Sequence, residues 1–365
     1  MEVMVMLSSE FWCGKKVFLT GHTGFKGSWQ LVCLLQLGAD ITGFSLPVDS
    51  SNHLFNSIWP SLNGKFTHIE GDLKDYSSLN AAVKCCRPEV VINLAAQSLV
   101  RKSYIDPLET WSTNVIGSLN ILKASSSLPN SCAIVMVTTD KVYLNKEWSF
   151  GYREIDRLGG FDPYSASKAA TELAIESWRS SFCGTAKHQS PYMRIASARA
   201  GNVIGGGDYS EDRIVPDAIR SLKSNKSIEV RHPYSKRPWQ HVLEPLGGYL
   251  LLAQKLVTAA TPPCEAFNFG PSSKSNCSVE ELVCKLLEFW PGEWNYSRDD
   301  CHLHEASRLH LQIDKAMERL GWSPKWDFSE TVRRTVLWYQ DVYKGADPYE
   351  RTLSDIKIYR EVLES

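Results

Sequence analysis

Thr20-Gly21-His22-Thr23-Gly24-Phe25-Lys26-Gly27-Ser28 follows a short apolar run, Lys16–Thr20, and opens residues 28–37, whose apolar spacing is helical and which Gly38 closes. A strand passing through glycines into a helix is a phosphate-binding turn. Gly21, Gly24 and Gly27 permit a tight turn, close backbone approach to a pyrophosphate and close helix–strand packing. The helix N-terminus adds N–H groups and partial positive charge. The spacing is G-x-x-G-x-x-G, not the G-x-G-x-x-G of the common dinucleotide fingerprint, but its place at the first strand–helix junction points to a nucleotide.

Strand-like and helix-like segments alternate outward from this turn. Residues 40–44, 66–70, 90–94, 133–138 and 197–200 read as strands, and 79–86, 110–126 and 164–182 as helices. Buried, Val/Ile-rich strands alternating with helices imply a parallel sheet covered on both faces. The expected fold is α/β, a Rossmann-type doubly wound sheet with a smaller C-terminal substrate-binding lobe. Residues 11–200 are assigned to the dinucleotide domain, with later segments interwoven. Residues 201–345 mainly form the lobe, with helices at 244–257, 278–289, 315–320 and 329–343, and 346–365 form a tail.

Composition bounds the rest. The 365 residues are 43% hydrophobic and 22% charged, ordinary for a globular protein with a large core. Forty Lys+Arg against 41 Asp+Glu leave a net charge of -1, which argues against a nucleic-acid binder with a broad basic surface. No apolar run reaches the roughly 18 residues of a membrane span. The ten cysteines are spread along the chain without a C-x-x-C pair, so reduced thiols in a cytoplasmic enzyme are expected.

A dinucleotide site commonly has an acid at the end of the second strand to hold the adenosine ribose. Here Ser45 stands near that position, and no acid follows before Asp49. Asp72, after the third strand, is a candidate acceptor for the adenine amino group, or a turn residue. Thr139, Asp140 and Lys141 end a buried strand at the sheet edge where ligands bind. Tyr164 and Lys168 lie four apart and share a helix face. A tyrosine acting as a base near neutral pH needs neighbouring positive charge, because its free pKa is about 10. Lys168 is expected to supply part of it.

These motifs resemble the extended short-chain dehydrogenase/reductases, in their nucleotide-sugar 4,6-dehydratase branch. The likeness extends through residues 93–100 (NLAAQSLV), 151–154 (GYRE), 199–208 (RAGNVIGGGD), 237–245 (RPWQHVLEP), 268–271 (NFGP), 304–306 (HEA) and 320–324 (LGWSP). The branch typically carries Thr-Asp-Glu where this chain has Thr139-Asp140-Lys141. The resemblance implies a lyase using NAD on a nucleotide sugar. Tyr164 would be the base at the 4-hydroxyl, Thr139 would bind the 4-oxygen and Asp140 would be the acid at the 6-hydroxyl. Lys141 would be the C5 base or stabilise the enolate, and Lys168 would hold the nicotinamide ribose. The cofactor set is Gly21, Thr23, Gly24, Phe25, Lys26, Gly27, Asp72, Leu73, Ala95, Ala96, Gln97, Tyr164 and Lys168. The substrate set is Gln97, Arg101, Asn202, Arg237, Trp239, His241 and His304, with no metal. Trp239 and His241 either line the nucleotide pocket or pack the lobe. The helices at 110–126 and 164–182, with Leu173, Ile175 and Trp178, imply a homodimer or a tetramer. An epimerase or simple dehydrogenase would lack Asp140-Lys141, and a non-catalytic NAD(H) sensor would lack the Tyr–Lys pair.

Overall fold

The computed structural model describes residues 8–48, 54–183, 193–297 and 308–364. Seven strands form the central sheet: β1 (Lys16–Thr20), β2 (Asp40–Ser45), β3 (Thr67–Glu70), β4 (Val90–Asn93), β5 (Cys132–Thr139), β6 (Met193–Ala200) and β7 (Ala266–Phe269). Their order is β7-β6-β5-β4-β1-β2-β3, and every pairing is parallel. The order reverses beside β1, which places a ligand crevice at the carboxyl ends of β1 and β4.

The period of two along these strands feeds two separate cores. Val17, Leu19, Val90, Ile92, Ala133, Val135 and Val137 point to one face, and Phe18, Val91, Ile134 and Met136 to the other. The first face is covered by α1 (Phe25–Gln36) and α2 (Leu54–Leu62). The second is covered by α3 (Tyr76–Cys86) and by the helical run 107–125, which contains one π-helical turn at Ser112–Ile116. A short helix, α4 (Val100–Ile105), precedes that run, which is α5, and α6 (Pro163–Phe182) packs beside it.

The later chain is interleaved with the first domain. Helix α7 (Ile214–Lys223) belongs to the lobe, where Ile228–Val230 pairs with Trp294–Tyr296. Helix α8 (Leu243–Thr258) packs on β5 and β6, and β7 completes the sheet. Helices α9 (Val279–Phe289), α10 (Asp314–Leu320) and α11 (Phe328–Tyr343) follow.

Four features depart from the sequence reading. Helix α1 begins at Phe25, inside the glycine turn, with Gly24 as N-cap. Strand β6 starts four residues earlier than expected, at Met193. Ile175 lies in the core and not on a free helix face. The expected tail forms α12 (Pro348–Glu364), packed on α1, α2 and α11. Its Tyr359 is buried, and the phenol donates to Glu244 Oε2 at 2.7 Å. The other Glu244 oxygen accepts from the backbone N–H groups of Lys325 (2.9 Å) and Trp326 (2.7 Å). One buried carboxylate thus ties α8, the 322–326 turn and α12 together. Tyr359→Phe leaves one of its oxygens without that donor, and the expected loss of stability is about 1–3 kcal/mol. A urea midpoint equal to the parent's would show that α12 is held by apolar packing alone.

Candidate active site

A cleft of ≈ 1340 Å³ runs along the carboxyl ends of the strands and under the lobe. At its base lies the glycine turn. Gly21 has φ +69°, and a Cβ there would sit 2.7 Å from the Ala95 nitrogen. A Cβ on Gly27 would meet the Gly21 carbonyl oxygen at 1.9 Å. The turn can therefore close only with glycine at both positions. Gly24 gives α1 no side-chain cap, which leaves first-turn N–H groups for an external anion.

The wall beside the turn is built mainly from hydroxyl, amide and apolar groups, with one acid, Asp72. Ser45 Oγ and Thr23 Oγ1 lie 2.5 Å apart at the end of β2, where an acid was absent from the sequence. Asp72 forms a turn, with Oδ1 accepting from the Lys74 N–H at 2.9 Å, and also lines the cleft. Leu73 is buried beside Gly117. Ala95 donates its N–H to Thr20 Oγ1, and Ala96 lies next to it on the cleft wall. The Gln97 amide shapes its own loop: Nε2 donates to Thr110 Oγ1 and the Leu99 carbonyl, and Oε1 accepts from Leu99 N–H.

The chemical centre joins β5 to α6. Asp162 caps α6 in a capping box with Ser165, with Pro163 in the first turn, so the helix starts beside the end of β5. Tyr164 and Lys168 follow on one face. Thr139 Oγ1 donates to Asp140 Oδ1 at 3.0 Å and also hydrogen-bonds Tyr164. Asp140 is 2% exposed, and burial raises its pKa despite Lys141, Arg237 and Lys26 nearby. Its Oδ2 is buried without a hydrogen-bond partner. Lys141 Nζ lies 5.9 Å from the centroid of the Tyr164 ring. Lys168 Nζ donates to the Val137 carbonyl at 3.4 Å, and burial lowers its pKa to about 8.

Burial pushes the Tyr164 phenol up to about 12, against the Thr139 hydrogen bond and the Arg213 charge. The chain's own groups therefore keep Tyr164 neutral.

Arg101, Asn202, Arg237 and Trp239 line the cleft, with Trp239 mostly buried and its indole N–H on the Cys277 carbonyl at 3.0 Å. His241 does not line it. It is fully buried between Trp29 and Trp326, with ring centroids 5.7 and 4.7 Å away, and it packs the lobe against α1. His304 lies outside the described residues. The sequence reading did not place two cations beside Tyr164 and Asp140. Arg213, held by Asp208 at 2.8 Å, acts on both Tyr164 and Lys26. It comes from a loop without a motif. Lys26 reaches toward Asp140 and Lys168 as well as standing in the glycine turn, and burial lowers its pKa to about 8.

These residues fit a dinucleotide: a turn that no Cβ could enter, free helix N–H groups and a buried lysine one turn from a tyrosine. Fold and site define a nucleotide-dependent enzyme of the short-chain dehydrogenase/reductase type. The chain belongs to the GDP-mannose 4,6 dehydratase family, whose model matches residues 18–335. It is 43% identical over 343 residues to a CDP-glucose 4,6-dehydratase of Salmonella typhimurium, covering 94% of this chain and 95% of that protein. It is 25% identical to a dTDP-glucose 4,6-dehydratase of Xanthomonas campestris, covering 88% and 92%. Among solved structures it is similar to the Bacillus anthracis dTDP-glucose 4,6-dehydratase in complex with NAD. That match has a TM-score of 0.75 and 21% identity, and covers 92% of this chain and 100% of that one. A UDP-glucose 4-epimerase of Thermotoga maritima with UDP-glucose has a TM-score of 0.75 and 23% identity, covering 90% and 99%.

The neutral Ser45–Thr23 pair omits a charge-assisted hydrogen bond to the adenosine ribose, a term of roughly 1.5–3 kcal/mol. The isolated protein is expected to carry less than one equivalent of NAD and to be activated by added NAD⁺. Quantifying nucleotide released by acid checks this, and stoichiometric NAD surviving dialysis would refute it.

Proposed function

We propose that the protein is an NAD-dependent CDP-glucose 4,6-dehydratase, forming CDP-4-keto-6-deoxy-D-glucose with loss of water. The observation that carries the reading is Asp140, a buried carboxyl whose pKa burial raises, with Oδ2 free of hydrogen bonds, beside Tyr164. A simple dehydrogenase has no use for such an acid. The choice of a cytidine substrate rests on the likeness to the Salmonella protein.

When bound, NAD supplies a hydride acceptor that later returns the hydride, and a positive ring in the cleft. Tyr164 takes the proton of the sugar 4-hydroxyl. Thr139, bonded to both Tyr164 and Asp140, aligns the 4-oxygen with them. The 4-keto group acidifies the C5 proton, and Asp140 gives its proton to the 6-hydroxyl as water leaves across C5–C6. Lys141 serves the C5 side, as base or as enolate stabiliser. Lys168 holds the nicotinamide ribose. Arg237 and Asn202 take the diphosphate, a pairing suited to guanidinium geometry.

Incubation with NAD⁺ and CDP-, dTDP-, GDP- and UDP-glucose in parallel tests this reading, through the absorbance of the 4-keto sugar in alkali. CDP-glucose is expected to be the preferred substrate. Product from another sugar nucleotide with CDP-glucose untouched would overturn the base assignment, and no product from any would overturn the activity.

The reading extends to a cytoplasmic homodimer, or a tetramer made of two such dimers. Helices α4, α5 and α6 leave Ile105 (84%), Leu108 (78%), Ile116 (50%) and Leu173 (60%) exposed, more apolar surface than a free helix layer holds. Sedimentation at micromolar concentration is expected to show a dimer or larger, and a monomer would refute it.

Lys141→Met separates the steps. Hydride removal at C4 needs Tyr164, so this variant is expected still to reduce NAD⁺ in a single turnover with CDP-glucose. It is expected to lose dehydration and solvent-deuterium entry at C5. Dehydration within a few-fold of the parent rate would leave Lys141 no chemical role.

A further inference from the structure

Tyr164, Lys168 and Glu172 are spaced four apart on α6 and so line one helix face. The mechanism uses the first two. Glu172 is 1% exposed and fully engaged. Its Oε1 accepts from Thr138 Oγ1 at 2.5 Å. Its Oε2 accepts from Ser197 Oγ at 2.8 Å and from Arg199 Nη2 at 2.8 Å. Arg199, 4% exposed, donates its other terminal nitrogen to the Tyr143 phenol at 2.8 Å, which donates in turn to Asn268 Oδ1 at 2.7 Å. One carboxylate therefore joins α6 to β5 and β6, and through Arg199 to the segment after β5 and to β7.

Two consequences follow from where these bonds fall. Thr138 immediately precedes Thr139 and Asp140, so its bond to Glu172 fixes the position along β5 from which both emerge. Glu172 is also one turn from Lys168, and its charge favours the ammonium against burial. The other charged groups around Lys168 are Lys26 on α1, which opposes it, and Arg199 on β6, which is engaged with Glu172. Tyr164 lies one turn before Lys168 on the same face of α6.

We propose that Glu172 is a positioning residue for this centre, setting the end of β5 through Thr138 and supplying the negative charge that faces Lys168 along α6. The proposal rests on the reading of Tyr164, Lys168 and Asp140 as the dehydratase machinery. A buried ion pair is not in itself evidence of a stabilising device, since an apolar pair of similar volume often does as well. What an apolar pair would not supply is the charge beside Lys168.

The test uses Glu172→Gln, which keeps an acceptor for Thr138 and removes the charge, and the double variant Glu172→Gln/Arg199→Met, which leaves no unpaired buried guanidinium. NADH binding is followed by fluorescence from pH 6 to 10 in the full-length protein, with Lys168→Met as the control lacking the titrating group. In the parent, affinity is expected to fall as pH rises through about 8, as Lys168 loses its proton. With the carboxylate removed the ammonium is less favoured, so the fall is expected about one pH unit lower in Glu172→Gln and in the same direction in the double variant. Lys26 also titrates near 8, so the Lys168→Met profile is expected to keep only that part of the fall and not to move when Glu172→Gln is added. Circular dichroism establishes that each variant is folded, and where the single variant does not fold the double one decides. A folded variant whose binding profile superposes on the parent's would overturn the proposal. The binding profile does not depend on the sugar substrate, so a parent that fails to convert CDP-glucose would sink the proposed function and leave this measurement interpretable.

Discussion

The constraint on which the molecule depends is that parallel strands buried on both faces hold polar side chains only where a buried partner meets them, and open to a ligand only at their ends. β1, β4 and β5 alternate their side chains into two apolar cores along nearly their whole length. Hydroxyls, amides and carboxyls are then confined to the last residue or two: Thr20 and Asn93 on neighbouring strands, whose side chains hydrogen-bond at 2.6 Å, and Thr138-Thr139 leading to Asp140 on β5. All strands run the same way, so these ends fall on one edge. The glycine turn, Asp140 and the start of α6 are neighbours for that reason, although more than a hundred residues separate the first from the last.

Burial governs the chemistry of that edge as strongly as charge does. Removal from water raises Asp140 and Tyr164 and lowers Lys26 and Lys168, so all four are driven toward their neutral forms. Lowered to about 8, Lys26 and Lys168 still carry their charge at neutral pH and face the anionic part of a dinucleotide. Tyr164 is the exception in scale, since at about 12 it needs further positive charge to act as a base near neutral pH.

The chain's local signals and its long-range contacts were not equally legible in the sequence. β1 was readable to the residue, because an apolar run meets a glycine turn. The Tyr164–Lys168 helix was readable because Asp162-Pro163 is a strong start signal. Lys26 was read only as part of the phosphate turn, since its reach to Asp140 depends on how α1 is set against β5. Arg213 left no local pattern at all: its place is fixed by Asp208 and by the fold of the 205–213 loop. His241 misled because a histidine within a family-like motif suggests a ligand, whereas its surroundings are tryptophans contributed by α1 and by the turn before α11. The helix α12 carried no motif, and its amphipathic face acquires meaning only once Glu244 and Trp326 are in place to receive Tyr359.

The replacement of an acid by Lys141 in the branch's usual Thr-Asp-Glu pattern also follows from this balance. Two adjacent carboxyls on one strand end would compete for a single proton, and repulsion would raise at least one of them. A lysine next to Asp140 has the opposite effect, favouring the carboxylate, and in a solvated site it would strip the acid of its proton. Here burial outweighs Lys141, Arg237 and Lys26 together, and the carboxyl stays raised. The same dry environment penalises the ammonium groups of Lys26 and Lys168. The buried carboxyl therefore holds its proton more readily than a solvated one would, even with a lysine beside it. That arrangement depends on the exclusion of water at the end of β5, which Gly201 serves by lying close against Asp140: a Cβ there would sit 2.9 Å from Oδ2. The close packing that hides the acid from solvent is thus part of what permits a lysine beside it.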